Sequence, residues 1–523
     1  MMSIEDGFRE GVKLPIPTAS LVLGPCLERM QRDFHNGFDW IGALLIGLCA
    51  PLGVFGQPAL ERQLSDALSK LPHAQTKLTA CVVDLHSSRT VFALNADQSL
   101  TPASSMKVFT MAAALTELGP EFAFETILAT DGTNLLVIGG GDPGFGDEKL
   151  SQLRGEAVTG AFEQWAAALS RQGMGEFAGD LVFDDTVFDR ELLHPSWEPG
   201  DLGKWYAAPV AGLNINDNCL DFSVRPAAAR DAPVVIGVQP PNSLVRIINQ
   251  CRSGGKGQPL LHHPPGTFEY RITGRADKAW PFSPVAFPDP ALLFADSLKT
   301  VFASRGVAIR GQLRRGRIRQ SDGTLPQGIR VLAIHRTPIG DVLMRAGKNS
   351  QNLFAECLFK RAGLAWATRN LAVNPQGSFA NGAGAVRAVL ARAGIEESRF
   401  HVSDGSGLSR ENSCSARQLV DILAWSHRQP WRSMLHDNLA VAGVDGSLKK
   451  RVKDLPDRVF AKTGTMRSVR ALAGYVDGDS GPRYAFAVVF NGYKGPSTPY
   501  KAIQDKVCRI LADAAETTTV GSR

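Results

Sequence analysis

Three short motifs contain the residue types needed for acyl transfer. They are S-x-x-K with Ser104 and Lys107, S-x-N with Ser350 and Asn352, and K-T-G beginning at Lys462. A serine hydroxyl is a weak nucleophile until a base takes its proton. Because residues i and i+3 share one face of a helix, Lys107 would point its amine at the Ser104 hydroxyl. The motifs therefore predict serine acyl transfer without a catalytic histidine.

The remaining motif residues would complete this chemistry. Lys462, on a strand facing the nucleophile helix, would attract a substrate carboxylate and disfavour protonation of Lys107. Ser350 would relay a proton to the leaving amine. Asn352 would hold both the substrate amide and the Lys107 amine. These residues and Ser104 are the predicted catalytic set.

The negative charge of the reaction intermediate also requires hydrogen-bond donors. The N-terminus of the helix that carries Ser104 adds a partial positive field at that point. Backbone N–H groups of Ser104 and Thr465 would form an oxyanion hole, an interaction often worth several kcal/mol. We therefore predict Thr463, Gly464 and Thr465 as substrate-binding residues.

Sequence context distinguishes three copies of S-x-x-K. Ser253 is followed by two glycines, which start a helix poorly. Ser447 is not followed by apolar residues at helical spacing. Ser104 follows Pro102 at the start of a segment with a strong apolar helical period. Ser104 is therefore the predicted nucleophile.

Other motifs in the sequence are interpreted as turns. Residues 139–144 spell G-x-G-x-x-G, but Pro143 and Gly146 interrupt the helix that a dinucleotide loop needs. Residues 478–482 resemble the nucleophile segment of trypsin-like proteases, yet they separate two strand-like runs as a hairpin turn would. The sequence contains neither G-x-S-x-G nor H-E-x-x-H, and no ligand set stands out among the 10 histidines. We predict no metal and no cofactor.

Periodicity predicts the elements that position the motifs. A hairpin at 78–85 and 89–94 precedes the nucleophile helix. Three strands are predicted at 458–462, 471–476 and 483–489, and K-T-G begins at the last residue of the first one. Helices are predicted at 59–71 and 500–515. An antiparallel sheet flanked by these helices would bring the two ends of the chain together.

The middle of the chain has a different composition, rich in proline and glycine. Strand-like runs lie at 135–138, 181–184, 233–238 and 244–248. The basic run at 314–319 is interpreted as a solvated strand edge, because the alternation at 317–319 fits a strand with one exposed face. We predict a leader at 1–56, a peptidase domain formed by 57–130 and 326–523, and an inserted region at 131–325 containing two small domains.

Composition excludes several classes of protein. The chain has 523 residues, of which 44% are hydrophobic and 21% charged, which is typical of globular proteins rather than disordered ones. A mean hydropathy of −0.07 excludes a multi-span membrane protein. The net charge of +6 is too small to indicate a nucleic-acid partner.

An apolar run at 41–48, preceded by basic residues, is interpreted as a secretory leader with a cleavage site near Gly56. The alternative is a buried helix of the folded protein. Met1 and Met30 are both possible starts, and peripheral membrane contact stays open. We predict export to the periplasm or another extracytoplasmic compartment. There Cys219 and Cys251 are the expected disulfide, because both lie in one region of the chain.

Taken together, these segments resemble the penicillin-recognising serine enzymes, and among them the class C low-molecular-mass penicillin-binding proteins. The segments with this resemblance are TPASSMK at 101–107, KNSQN at 348–352, DGSGLSR at 404–410, VAGVDGSLK at 441–449, and KTGT at 462–465 followed by ALAGYV at 471–476. The sequence GGGDP at 139–143 resembles part of that family's inserted region. The 246 residues from Ser104 to Ser350 agree with such an insertion.

The resemblance implies an α/β (α+β) peptidase domain, with an antiparallel sheet, flanking helices and a helical lobe, interrupted by smaller β-rich domains. It implies a D-alanyl-D-alanine carboxypeptidase and endopeptidase that cleaves peptidoglycan stem peptides through an acyl-enzyme on Ser104. β-Lactam antibiotics would acylate the same serine as inhibitors. Trp205 and Tyr206 would lie near the substrate side chain, with simple packing as the alternative.

Other functions are also compatible with the motifs. A serine β-lactamase would use the same residues but deacylate rapidly, and a transpeptidase would differ only in its acceptor. A non-catalytic cell-wall binding protein would be expected to lack Ser104, Lys107 or Lys462, and this chain retains all of them. The balance between carboxypeptidase and endopeptidase activity, the preferred third residue of the stem peptide and the oligomeric state stay open at this point.

Overall fold

A computed structural model describes residues 57–520 apart from 265, 321, 373 and 374. The predicted leader, residues 1–56, lies outside the described residues. Within the described chain, no helix combines the length and the apolar character needed to cross a bilayer.

Helices and strands both occur along the described chain. The α-helices are α1 (Gln57–Ser69), α2 (Lys107–Leu118), α3 (Glu148–Arg154), α4 (Gly160–Arg171), α5 (Pro290–Ser304), α6 (Ile339–Gly347), α7 (Asn352–Arg369), α8 (Phe379–Ala393), α9 (Ala416–His427), α10 (Arg432–His436) and α11 (Thr498–Val520). The strands are β1 (Lys77–Asp84), β2 (Arg89–Leu94), β3 (Ala123–Thr130), β4 (Leu135–Ile138), β5 (Glu176–Phe177), β6 (Leu181–Asp184), β7 (Cys219–Arg225), β8 (Val235–Gln239), β9 (Arg246–Asn249), β10 (Arg252–Ser253), β11 (Leu260–His262), β12 (Glu269–Thr273), β13 (Arg275–Ala276), β14 (Trp280–Pro281), β15 (Val285–Ala286), β16 (Ala308–Ile309), β17 (Leu313–Arg315), β18 (Arg330–Pro338), β19 (Ala440–Val441), β20 (Val459–Met466), β21 (Val469–Gly478) and β22 (Gly481–Asn491).

A six-stranded sheet forms the centre of the fold, with strand order β19-β20-β21-β22-β1-β2 and antiparallel pairing throughout. The first and last helices, α1 and α11, contact each other and share one apolar core with the sheet. The predicted antiparallel sheet flanked by terminal helices is thus present. The hairpin predicted at 478–482 is the turn between β21 and β22.

A helical lobe lies beside the nucleophile helix. Helix α2 is apolar around most of its circumference and is buried along most of its length, and it contacts α6, α7, α8 and α9. These helices and the sheet share the largest apolar core of the described chain. Such burial fixes the position of both ends of α2, including the turn that carries Ser104.

A second, five-stranded sheet has the order β17-β6-β4-β3-β18, and helices α4 and α5 belong to its separate apolar core. Strand β3 ends at Thr130 and pairs with β18, which begins at Arg330. The predicted insertion boundaries at 131 and 325 therefore fall in the connections on either side of this strand pair. The predicted division into domains stays a prediction, since the sheet joins residues from both parts.

The strand predicted at 317–319 is wrong. Strand β17 ends at Arg315, and the backbone N–H groups of Ile318 and Arg319 donate to the Asp184 carboxylate at 2.6 and 3.0 Å. A side chain, rather than a neighbouring strand, satisfies these donors. Ile318 packs against a small apolar cluster, so the basic run is only partly a solvated edge.

The disulfide expected between Cys219 and Cys251 is also wrong. Both are free and buried, as are the other four cysteines of the described chain. Cys219 packs with Ala208 and Ala286, whereas Cys251 belongs to the core of the inserted region. The two thiols lie in different apolar clusters, so proximity along the chain did not indicate contact.

Candidate active site

The predicted nucleophile lies on a tight turn at the start of α2. Residues Ala103–Met106 form a 3-10 turn behind Pro102, and the α-helix begins at Lys107. Ala103 has a φ of 46°, a region that non-glycine residues rarely adopt. Lys107 Nζ lies 3.1 Å from Ser104 Oγ. The S-x-x-K spacing thus brings the amine and the hydroxyl together, as predicted.

The Lys107 side chain is completely buried. Besides Ser104, its Nζ contacts Asn352 Oδ1 and the Ser406 carbonyl oxygen, both at 2.7 Å. Burial lowers the pKa of Lys107 from 10.5 to about 7, although the negative charges of Glu356 and Asp404 act in the opposite direction. A substantial fraction of Lys107 is therefore neutral near pH 7, as a general base requires.

Ser350 and Lys462 form a second pair. Lys462 Nζ donates to Ser350 Oγ at 2.8 Å and to the Thr463 carbonyl oxygen at 2.9 Å. Burial and the nearby charge of Lys107 lower the pKa of Lys462 well below its ordinary value. Two lysines thus occupy one site with depressed pKa values, which separates this site from an ordinary surface cluster.

Two glycines allow three segments to meet at the nucleophile. A Cβ on Gly464 of β20 would lie 2.4 Å from the Pro102 carbonyl oxygen. Gly407 has a φ of 79°, and a Cβ there would lie 1.9 Å from the Ala103 carbonyl oxygen. No larger side chain fits at either position without moving the backbone. The K-T-G strand and the 404–410 loop therefore approach the Ser104 turn from two sides.

Carboxylates that the motif chemistry did not include hold the 404–410 loop in place. Asp404 accepts hydrogen bonds from the backbone N–H groups of Gly407 and Ser409, at 2.8 and 2.7 Å. Glu356 accepts from the N–H groups of Gly405 and Ser406, both at 2.8 Å. These bonds fix the Ser406 carbonyl against Lys107. Glu356 lies four residues after Asn352 on α7, and this helical spacing is a signal that could have identified it.

A cleft of about 690 Å³ opens in front of these residues. Ser104, Ser350, Asn352, Thr463 and Thr465 line its inner end. The outer part is lined by aromatic and charged side chains, including Trp205, Tyr206, Glu198, Asp201 and Arg410. The cleft is large enough for a short peptide, with polar groups concentrated around Ser104.

The chain is similar to known proteins over nearly all of its described length. The model of the D-Ala-D-Ala carboxypeptidase 3 (S13) family matches residues 60–514. The chain belongs to this family. A D-alanyl-D-alanine carboxypeptidase of Actinomadura sp. (strain R39) is 30% identical over 482 residues, covering 87% of this chain and 85% of that protein. The D-alanyl-D-alanine carboxypeptidase DacB of Haemophilus influenzae is 27% identical over 478 residues, covering 87% and 92%.

A solved structure supports the fold independently. The crystal structure of penicillin binding protein 4 from Haemophilus influenzae superposes with a TM-score of 0.70, at 24% identity, over 87% of this chain and 99% of that one. The predicted fold class is confirmed, and so is the prediction of a serine D-Ala-D-Ala carboxypeptidase of the low-molecular-mass penicillin-binding type.

Within this S13 family member, the predicted site residues lie together. Ser104, Ser350, Asn352, Thr463 and Thr465 face the cleft, while Lys107, Lys462 and Gly464 are buried directly behind its wall. Sequence reasoning assigned no role to the Tyr206 carbonyl oxygen, which accepts from Asn352 Nδ2 at 2.7 Å. It also set Ser447 aside, although Ser447 Oγ accepts from Thr463 Oγ1 at 2.8 Å. Backbone acceptors and serine hydroxyls that bind only one neighbour leave little trace in a sequence.

Proposed function

We propose that Ser104 is the nucleophile of a D-alanyl-D-alanine carboxypeptidase and that neutral Lys107 is its general base. The observation that carries this proposal is the environment of the buried Lys107 amine. A neutral amine has two N–H donors and one lone pair. Asn352 Oδ1 and the Ser406 carbonyl accept at 2.7 Å each, which leaves the lone pair for the hydroxyl of Ser104 at 3.1 Å.

Acylation then follows from the positions of these groups. Lys107 takes the hydroxyl proton as Ser104 Oγ bonds to the carbonyl carbon of the penultimate D-alanine. Backbone N–H groups of Ser104 and Thr465 would stabilise the oxyanion of the tetrahedral intermediate. When the C–N bond breaks, the proton passes from Lys107 through Ser350 to the amine of the departing D-alanine. The product is an ester on Ser104.

Deacylation repeats these steps with water in place of serine. Lys107 takes a proton from the water as its oxygen bonds to the ester carbonyl, and the proton then returns to Ser104 as the C–O bond breaks. Lys462, with the hydroxyls of Thr463 and Thr465, would bind the terminal carboxylate of the substrate. Gly464 lets that strand lie close to the nucleophile. The chain contributes every group that these steps use.

The substrate and compartment belong to the same proposal. We infer that the enzyme acts on peptidoglycan stem peptides outside the cytoplasm, and that β-lactams acylate Ser104 as substrate mimics. The structure of penicillin binding protein 4 from Haemophilus influenzae is also known complexed with a β-lactam, at 24% identity and a TM-score of 0.66. Trp205 and Tyr206, which line the cleft, are proposed to contact the substrate side chain. Peripheral contact with a membrane and removal of a leader stay predictions.

Intact-mass spectrometry after incubation with excess benzylpenicillin tests the proposed nucleophile. We expect one lasting adduct on the wild-type protein and none on Ser104→Ala. Ser253→Ala is the matched control, because it removes the serine of another S-x-x-K sequence and should leave the adduct intact. An adduct that persists on Ser104→Ala would refute the assignment. Rapid hydrolysis of the drug without a lasting adduct would indicate a β-lactamase instead.

A further inference from the structure

A second cavity, of about 770 Å³, lies where the C-terminal half of α7 meets β3 and residues Arg317, Arg319, Gln320, Asp322 and Gly323. Helix α7 begins at Asn352 in the active-site cleft, and Arg361 follows nine residues later, about 13 Å along the helix axis. The catalytic groups described above do not line this cavity. It is therefore a separate feature connected to the active site by one rigid helix.

Arg361 is a partly buried cation that forms no ion pair within the described chain. Its Nε atom has no access to solvent and no hydrogen-bond partner among the described residues. The guanidinium lies over the Phe122 ring, 5.4 Å from the ring centre. The Nε–H group is removed from water without a hydrogen-bond partner, which is costly, so an acceptor supplied by a ligand would be favourable here. Burial and the nearby charge of Arg319 lower the pKa of Arg361 to about 10, so it stays positively charged at neutral pH.

The other charged groups around the cavity leave an excess of positive charge. Its remaining arginines are Arg317, Arg319 and Arg369, and its acidic residues are Glu117, Glu125 and Asp322. Glu117 is already paired with Arg369 and Arg392, and Glu125 is paired with Arg336. Asp322 accepts hydrogen bonds from Thr324 on the exposed side.

The side chains of Arg317 and Arg319 have only carbonyl partners within the described chain. Arg317 Nε donates to the Arg319 carbonyl oxygen at 3.1 Å, and Arg319 Nη1 donates to the Gly323 carbonyl oxygen at 2.9 Å. Neither contact neutralises a charge. The guanidinium groups of Arg317, Arg319 and Arg361 therefore line one cavity without forming an ion pair in the described chain, and Asp322 is the one lining carboxylate that is not paired with another arginine.

We propose that this cavity binds an oxyanion, a carboxylate or a phosphate, carried by a cell-wall polymer. Guanidinium groups bind both anions through paired, charge-assisted hydrogen bonds. Phe122, Val187 and Leu364 provide an apolar wall beside the arginines for the uncharged part of the ligand. The choice of a wall polymer rests on the proposed function. Because such polymers repeat their anionic groups, a second contact would retain the enzyme on its substrate.

Thermal unfolding in phosphate and in chloride, at equal ionic strength, tests the anion site directly. A ligand that binds only the folded state raises its melting temperature. We expect phosphate to raise the melting temperature of the wild-type protein but not that of Arg361→Gln or Arg319→Gln. Arg310→Gln is the matched control, since Arg310 is paired with Glu176 on the surface and does not line the cavity. Equal shifts in the wild-type protein and both cavity variants would overturn the proposal.

Cosedimentation with purified sacculi identifies the source of the anion. In the Ser104→Ala background, which prevents digestion, Arg361→Gln should weaken binding about tenfold, the loss expected for one charge-assisted hydrogen bond. If stem peptides supply the anion, amidating the carboxylates of the sacculi should abolish the difference in binding between the wild-type and Arg361→Gln side chains. If phosphate supplies it, stripping the phosphodiester polymers from the sacculi should abolish that difference. No difference between the Arg361 and Arg310 variants on untreated sacculi would refute the wall ligand. The benzylpenicillin adduct reports on the proposed catalytic function separately, since it requires no sacculus.

Discussion

The pKa of Lys107 predicts how the rate of acylation depends on pH. Neutral Lys107 is the reactive form, so acylation by a β-lactam is fast above the pKa of about 7 and declines as the pH falls through that value. On the alkaline side, loss of the Lys462 proton weakens binding of the substrate carboxylate. Because the pKa of Lys462 is also depressed, this second decline begins below pH 10.5. We expect a bell-shaped profile.

The magnitude follows from the two protonation equilibria. A lysine with the ordinary pKa of 10.5 would be neutral in about 3 molecules in 10,000 at pH 7, whereas a pKa of about 7 makes about half of them neutral. Burial of Lys107 therefore supplies roughly a thousandfold more base at neutral pH. Below about pH 6 the acylation rate should fall about tenfold for each pH unit.

The second-order rate constant for acylation by a fluorescent penicillin, measured from about pH 5 to about pH 10, checks this profile. No histidine lines the cleft within the described chain, so an acid limb near pH 7 has no imidazole to explain it. Asp404→Asn removes a negative charge that raises the pKa of Lys107, and the acid limb should move to lower pH. Glu176→Gln, which changes an exposed glutamate, should leave it in place. A rate independent of pH below 8, or a limb that Asp404→Asn does not move, would refute the reasoning.

Three further predictions concern other parts of the fold. Gly464→Ala should lower the acylation rate about a hundredfold, because the new Cβ would press on the Pro102 carbonyl and move the K-T-G strand. Gly316→Ala is the control and should leave the acylation rate unchanged, because the nearest atom to its new Cβ would be 3.6 Å away. Burial raises the pKa of Asp142 from 3.8 to about 7, so its stabilising contribution is present below pH 3.8 and is lost as the pH rises to about 7. The loss is about 4 kcal/mol. Asn cannot ionise, so the melting temperature of Asp142→Asn, measured by calorimetry, should rise relative to that of the wild type between pH 5 and pH 8. A difference in melting temperature that stays constant with pH would contradict this. Alkylation in denaturant without reductant should label all six cysteines of the described chain, and a protected pair would restore the disulfide hypothesis.

Sequence alone predicted the parts of the site that depend on short spacing. The distance between Ser104 and Lys107 is a property of one helical turn, so the motif was sufficient to bring amine and hydroxyl together. Apolar runs bounded by turn residues predicted the strands Leu135–Ile138 and Leu181–Asp184 at their observed bounds. In both cases the neighbouring residues determine the structure.

Long-range polar contacts were not predictable in this way. The alternation at 317–319 is typical of a strand, but Asp184, more than 130 residues away, binds the backbone there. The Ser406 carbonyl that contacts Lys107 has no side-chain signature, and its position depends on Asp404 and Glu356. The contact between each acceptor and its donor is created by the tertiary fold, so a pattern of residue types could not reveal it.

The arrangement of the two lysines suggests why the site needs both. Without a ligand, burial and the charge of Lys107 lower the pKa of Lys462. A substrate carboxylate beside Lys462 would favour its protonated form, because opposite charges attract strongly in a buried site. The charge gained by Lys462 would then disfavour a proton on Lys107, 3.1 Å from the nucleophile. Binding of the carboxylate would thus increase the fraction of reactive base, and this coupling would favour carboxylate-bearing substrates in the chemical step as well as in binding.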